Sequence, residues 1–147
     1  VYKRQYVTYT EGMSDYWDYS FFNVSVIRYA DVLLLYAECL NDKGETTEAI
    51  NIINKVRARV NVPALPLTMS KAEVLKHLQD KERPCELALE GSRWYDLVRW
   101  GIVEETLKAH NKPFVENYVD TKHQLFPIPH SEFLLNPDWE QNPNYSK

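Results

Sequence analysis

Four carboxylates stand close together in residues 81–101, Lys-Glu-Arg-Pro-Cys-Glu-Leu-Ala-Leu-Glu-Gly-Ser-Arg-Trp-Tyr-Asp-Leu-Val-Arg-Trp-Gly. Glu82, Glu86 and Glu90 recur every four positions, and Asp96 follows. Two convergent carboxylates are what glycoside hydrolysis needs, one as acid and one as base or nucleophile. The same spacing also stacks acids one turn apart on a helix face, where basic neighbours neutralise them. Lys81, Arg83, Arg93 and Arg99 interleave with these acids, and no second catalytic loop accompanies them. The pattern therefore favours internal ion pairing over hydrolysis.

The aromatic residues offer a second chemistry. Tyr16, Trp17 and Tyr19 sit in a turn-rich stretch with Asp15 and Asp18. Flat rings suit the apolar faces of sugars, and carboxylates suit their hydroxyls, so these three are the candidate ligand-binding residues. Packing against the helices is the competing expectation for them. Trp94, Tyr95 and Trp100 are expected to fill the core beside Leu97 and Phe126. Arg93 and Arg99 are expected to lie across aromatic faces or to bond loop carbonyls.

His77, His110, His123 and His130 lack metal-ligand spacing and read as surface or satisfied histidines. Phosphate loops, dinucleotide fingerprints and serine-nucleophile motifs are absent, so no cofactor or metal is expected. Cys39 and Cys85 fall among apolar residues and read as free thiols used as small core hydrophobes. A disulfide between them is the alternative in an exported protein.

With 147 residues, 44% hydrophobic and 26% charged, the chain has the make-up of a globular protein. A net charge of −4 gives no electrostatic footprint for nucleic acid or anionic lipid. The longest apolar run, residues 32–37, falls far short of the ~20 residues a bilayer-spanning helix requires. The chain opens without an apolar export core, so any addressing signal is expected to lie upstream.

Positioning falls to helices. Residues 26–43 carry apolar positions near the 3.6 period, ended by Gly44 in a left-handed cap. Thr46 or Thr47 is expected to cap a second helix with Ala49, Ile52, Ile53, Val56 and Val60 on its apolar face. Asn61-Val62-Pro63 stops it. Ser70-Lys71-Ala72-Glu73 reads as a capping box opening a third helix, with Val74, Leu78, the stem of Lys81, Cys85 and Ala88/Leu89 as its stripe. Pro84 predicts a kink or break near residues 80–84. Ser92 is the expected N-cap of a helix to Trp100, Gly101 ends it, and another helix follows over 103–110. Beyond Asn111 only one short turn, 131–135, is expected within extended chain.

The first two helices, with Tyr36-Ala37, Lys43-Gly44-Glu45, Glu48-Ala49-Ile50 and Lys55-Val56, resemble one tetratricopeptide (TPR) repeat. Such a unit leaves an outer face that must stack on something. The expected fold is all-α, built of TPR-like antiparallel helix pairs. A Tyr-rich extended segment (1–25) leads into the helical domain (26–110), and a Pro-rich extended segment (111–147) packs on it.

Three motifs in order resemble the SusD/RagB family. The first is Ile27-Arg28-Tyr29-Ala30-Asp31-Val32-Leu33-Leu34-Leu35-Tyr36-Ala37-Glu38, with Asp31 where the family usually has Glu. The second is the 81–101 signature, with Pro84 where a helix former is usual. The third is Leu-Phe-Pro-Ile-Pro (125–129) followed by Gln-Asn-Pro-Asn-Tyr (141–145). The resemblance spans roughly 26–145 and corresponds to the C-terminal part of a family member. It marks Arg28, Glu38, Glu82, Arg83, Glu86, Glu90, Gly91, Arg93, Trp94, Asp96 and Arg99 as structural motif residues. It implies a non-enzymatic surface lipoprotein of a Gram-negative outer membrane, tethered by an N-terminal lipid. Such a protein captures oligosaccharides, largely through regions upstream, and delivers them to a SusC-like, TonB-dependent transporter. A TPR-type peptide-binding module and a carbohydrate-active enzyme are the alternatives.

Overall fold

The computed structural model describes residues 26–146. Every regular element among them is helical. The chain divides into two compact units between Lys71 and Ala72.

The first unit is a helical hairpin of α1 (Tyr29–Asp42) and α2 (Thr46–Ala58). Leu34, Ala37 and Leu40 of α1 are buried, as are Ala49, Ile50, Ile52, Ile53 and Val56 of α2. Each fully buried Leu or Ile contributes about 2 kcal/mol by leaving water. Ala37 and Ala49 are both wholly buried, and their size lets the two backbones approach closely. Gly44 takes the expected left-handed conformation at φ +90, and the Glu45 amide closes the turn on the Leu40 carbonyl at 2.9 Å.

Neither Thr46 nor Thr47 caps α2. Glu45 occupies the N-cap position without a side-chain bond, because the tight turn delivers the chain into helix one residue earlier. Val60 is exposed rather than buried, since α2 ends at Ala58 and Asn61 turns left-handed at φ +56.

The loop after α2 is laid back on the hairpin by side chains. Asn54 Oδ1 accepts from the Leu65 amide at 2.7 Å, and Asn54 Nδ2 donates to the Leu65 carbonyl at 3.1 Å. Arg57 Nε donates to the Pro63 carbonyl at 2.8 Å. Buried Asn41 donates to the Lys71 carbonyl at 2.9 Å.

Helix α3 (Lys71–His77), which starts directly after Ser70 as expected, has its first residue in the first unit and the rest in the second. The break predicted around Pro84 is a π-helical turn, Leu78–Glu82, that joins α3 to α4 (Arg83–Glu86). The Arg83 amide bonds the Leu78 carbonyl, five residues back. In a regular helix the Pro84 ring would meet the Asp80 carbonyl; the wider turn relieves that clash and keeps the helical direction.

The stripe expected beyond this turn is not realised. Leu87 is buried, Cys85 is exposed and Leu89 is 97% exposed. The helix stops at Glu86, and Leu89 adopts φ +67, a left-handed conformation that costs a branched side chain about 1–2 kcal/mol. Cys39 is exposed too: both thiols are free, as expected, but neither serves the core.

Helices α5 (Arg93–Trp100) and α6 (Val103–Ala109) follow. Gly101 links them at φ +68 as the left-handed cap of α5. Ser92 stands at the N-cap position but makes no capping bond. Leu97, Val103 and Leu107 form a small core, with Trp94, Val98, Ile102, Val115 and Tyr118 packed on it. Tyr95 and Phe126, expected in the core, are 62% and 65% exposed.

The tail after Asn111 holds more helix than expected: a 3-10 turn (Pro113–Asn117), α7 (Asp120–His123) and α8 (His130–Leu135). All are too short for a strong periodic signal. The Pro-Ile-Pro run between α7 and α8 is extended, as its prolines require.

Candidate functional site

The 81–101 signature folds into a charge knot in the second unit. Arg83 and Asp96 are nearly inaccessible, at 3% and 4% exposure. Arg83 Nε donates to Asp96 Oδ2 at 2.8 Å, and Arg99 Nε donates to Asp96 Oδ1 at 3.0 Å. One carboxylate therefore holds the end of the first helical run and the last turn of α5 together. The Arg83–Asp96 pairing joins residues thirteen apart, which helical spacing alone does not reveal. Arg99 also lies over the Trp100 ring at 4.4 Å, and Arg93 Nη1 donates to the Gln79 carbonyl at 2.8 Å. Arg99 fits the expectation of ring stacking, whereas Arg93 bonds a carbonyl inside the π turn rather than one in a loop. Burial draws the Arg93 pKa below its ordinary value, against the opposing pull of Asp96 and Asp80.

The π turn supplies a second pairing. It aligns residues five apart, and His77 Nε2 meets Glu82 Oε2 at 2.8 Å with both side chains largely buried. His77 is thus a satisfied histidine, but its partner could not be read from regular helical periodicity. Glu86 and Glu90 are likewise engaged by neighbours. Arg28 and Glu38 lie in the first unit, on or beside α1, and both are half-buried and engaged.

Beside the knot lies a cleft of about 210 Å³ between α4 and α5, lined by Arg83, Pro84, Leu87, Leu89, Arg93 and Asp96. Two of its charged groups, Arg83 and Asp96, are already committed to the knot. Gly91, at φ +82, turns the chain at its edge. Among the described residues no cluster of His, Cys, Asp and Glu is arranged to hold a metal, and no helix is long and apolar enough to cross a membrane.

The closing motif has a structural role that the sequence did not disclose. Gln141 Oε1 accepts from the Ile128 amide at 2.8 Å, and Gln141 Nε2 donates to the Ile128 carbonyl at 2.9 Å. Asn142 Nδ2 donates to the Phe126 carbonyl at 2.7 Å, and the Tyr145 hydroxyl to the Leu125 carbonyl at 3.0 Å. The Gln-Asn-Pro-Asn-Tyr motif thus clasps the Leu-Phe-Pro-Ile-Pro motif, giving the extended run the backbone bonds that a sheet would have supplied. Nearby, the Tyr118 hydroxyl donates to Asp120 at 2.7 Å. Burial, then that bond, push the Tyr118 pKa up to about 12, and the same bond lowers that of Asp120.

The aromatic candidates Tyr16, Trp17 and Tyr19 lie outside the described residues.

Comparison with known proteins gives one consistent result. The sequence model of the SusD family matches residues 1–145. SusD-like protein P38 of Formosa agariphila is 37% identical over 130 residues, covering 84% of this chain and 25% of its own. A SusD-like protein of Bacteroides ovatus is 32% identical over 81 residues, covering 53% of this chain and 14% of its own. The crystal structure of a SusD superfamily protein from Bacteroides vulgatus superposes with a TM-score of 0.73 at 36% identity, covering 82% of this chain and 27% of that one. The chain spans about a quarter of the length of the Formosa relative and of the Bacteroides vulgatus structure.

Proposed function

Because the chain belongs to the SusD family, we propose that it forms the helical scaffold of a non-enzymatic, glycan-binding nutrient-capture protein on the outer-membrane surface. In this reading the complete protein is held by a lipid anchor and passes oligosaccharide to a SusC-like, TonB-dependent transporter. Tyr16, Trp17 and Tyr19 are the residues of this chain proposed to touch sugar, with the main ligand contacts supplied elsewhere in the complete protein.

The observation that carries the reading is the use made of the signature carboxylates. Hydrolysis needs two carboxyl groups facing a sugar across a cleft, free to exchange protons with it. Asp96 instead holds two arginines, and Glu82 is closed on His77. Glu86 and Glu90 are engaged as well. These charges support a frame rather than a reaction.

A tryptophan-fluorescence titration with a panel of soluble oligosaccharides tests it, with reducing ends assayed in the same samples. A saturable shift that vanishes in Trp17→Ala supports sugar contact at residues 16–19. Release of reducing ends from any glycan contradicts the non-enzymatic reading.

A further inference from the structure

Helix α7 (Asp120–His123) is a single turn, far under the ~12–15 residues a helix needs to hold itself in water. One residue, Val119, closes it from both sides. The Val119 carbonyl accepts from the Lys122 amide at 3.0 Å and from the His123 amide at 2.8 Å. The Val119 amide is one of the donors that a helix start leaves without an intrahelical partner. His123 supplies that partner: ring atom Nδ1 accepts from the Val119 amide at 2.8 Å. Helical side chains lean towards the N-terminus of their helix, which makes this reach natural.

A backbone amide can only donate. His123 Nδ1 must therefore be bare, and the proton of the neutral ring sits on Nε2. A second ring proton would occupy Nδ1 and set two N–H groups against each other. A histidine that donates keeps its partner on protonation; one that accepts loses it. Histidine is also the side chain whose charge ordinarily changes between about pH 5 and 8.

The groups around the ring do not replace the bond. The Tyr118 ring lies against the imidazole, centroids 5.7 Å apart and tilted by 32°. Its hydroxyl is turned to Asp120 at 2.7 Å, and Glu104 of α6 acts on the same phenol. Lys122, on the same turn, is drawn over the Tyr145 ring at 4.7 Å.

We infer that His123 is a proton-operated latch on α7: neutral, it closes the turn; protonated, it releases the Val119 amide and lets the turn open. The turn also seats the closing motif, through Asn144 Nδ2 donating to Thr121 Oγ1 at 3.4 Å and through Lys122 over Tyr145. Acid therefore loosens the hold on the last residues of the chain. The inference stands apart from glycan capture, since none of these residues is assigned to ligand.

Nuclear magnetic resonance on the whole chain tests it. At about pH 8 the ring nitrogens of His123 should report the Nε2–H form. Amide exchange at Val119, normalised to the rate of unstructured chain, should be about fivefold less protected at about pH 5 than at about pH 8, with the Ile53 amide of the hairpin unchanged. His123→Asn places an oxygen that does not titrate where Nδ1 stood, so protection should persist at both pH values. His123→Phe keeps a ring against Tyr118 without an acceptor, so protection should be lost at both. An Nδ1–H ring at about pH 8, a Val119 amide indifferent to pH, or the same acid loss in His123→Asn would overturn the inference.

Discussion

The hairpin and the signature unit reach order by different means. In the hairpin, α1 and α2 bury a continuous apolar seam through Leu34, Ile50 and Ile53, and side-chain bonds only tie down the loop that follows. In the signature unit the helices are short, the buried apolar cluster is small, and a buried arginine–aspartate pair takes a central place. Apolar seams tolerate repacking, because many weak contacts share the load. A buried ion pair is much less forgiving, because losing either partner strands a charge away from water. The same chain thus carries one unit specified mostly by volume and pattern, and another specified by individual polar partners.

Substitutions can break or sharpen that contrast. The largest effect expected in the hairpin comes from Ile53→Ala, which should cost about 3 kcal/mol and raise amide exchange across α1 and α2; denaturant unfolding with hydrogen exchange measures both. Gln141→Ala removes both bonds to Ile128 and should cost the second unit about 1–2 kcal/mol. The loss should show as faster exchange at the Ile128 amide. Leu89→Gly reverses the usual sign. The side chain is almost wholly exposed and its backbone is left-handed, so glycine should stabilise by about 1 kcal/mol, visible as a higher denaturant midpoint.

The smallest effect concerns Tyr118. Its pKa is raised in the folded state, so its stabilising contribution is complete below the ordinary tyrosine value near 10 and fades as pH climbs through about 12. A tyrosinate absorbance titration compared with Tyr118→Phe should show one phenol ionising later than the others.

The hairpin was the more legible unit because its information is periodic. Apolar spacing, Gly44 and the small residues Ala37 and Ala49 suffice to define two packed helices. In the second unit, Gly101 and the face of Trp94, Leu97 and Val98 were readable for the same reason. Pro84 announced a disruption, but not that it would be a π turn pairing His77 with Glu82. Arg83–Asp96 and Gln141–Ile128 join residues thirteen apart and obey no period, so spacing could not find them. The two cysteines misled for a related reason: apolar neighbours in sequence do not place a residue on the buried face. Of the residues the motif resemblance marked, the geometry gives Glu82, Arg83, Arg93, Asp96 and Arg99 specific partners.

The measurement that bears most directly on this account is a double-mutant cycle on Arg83 and Asp96, followed by urea unfolding. If the signature charges are structural, Arg83→Met and Asp96→Leu should each destabilise by about 3–5 kcal/mol, while the double variant loses less than either alone. Losses that simply add would contradict the account, since the two side chains would then not be acting as one buried pair.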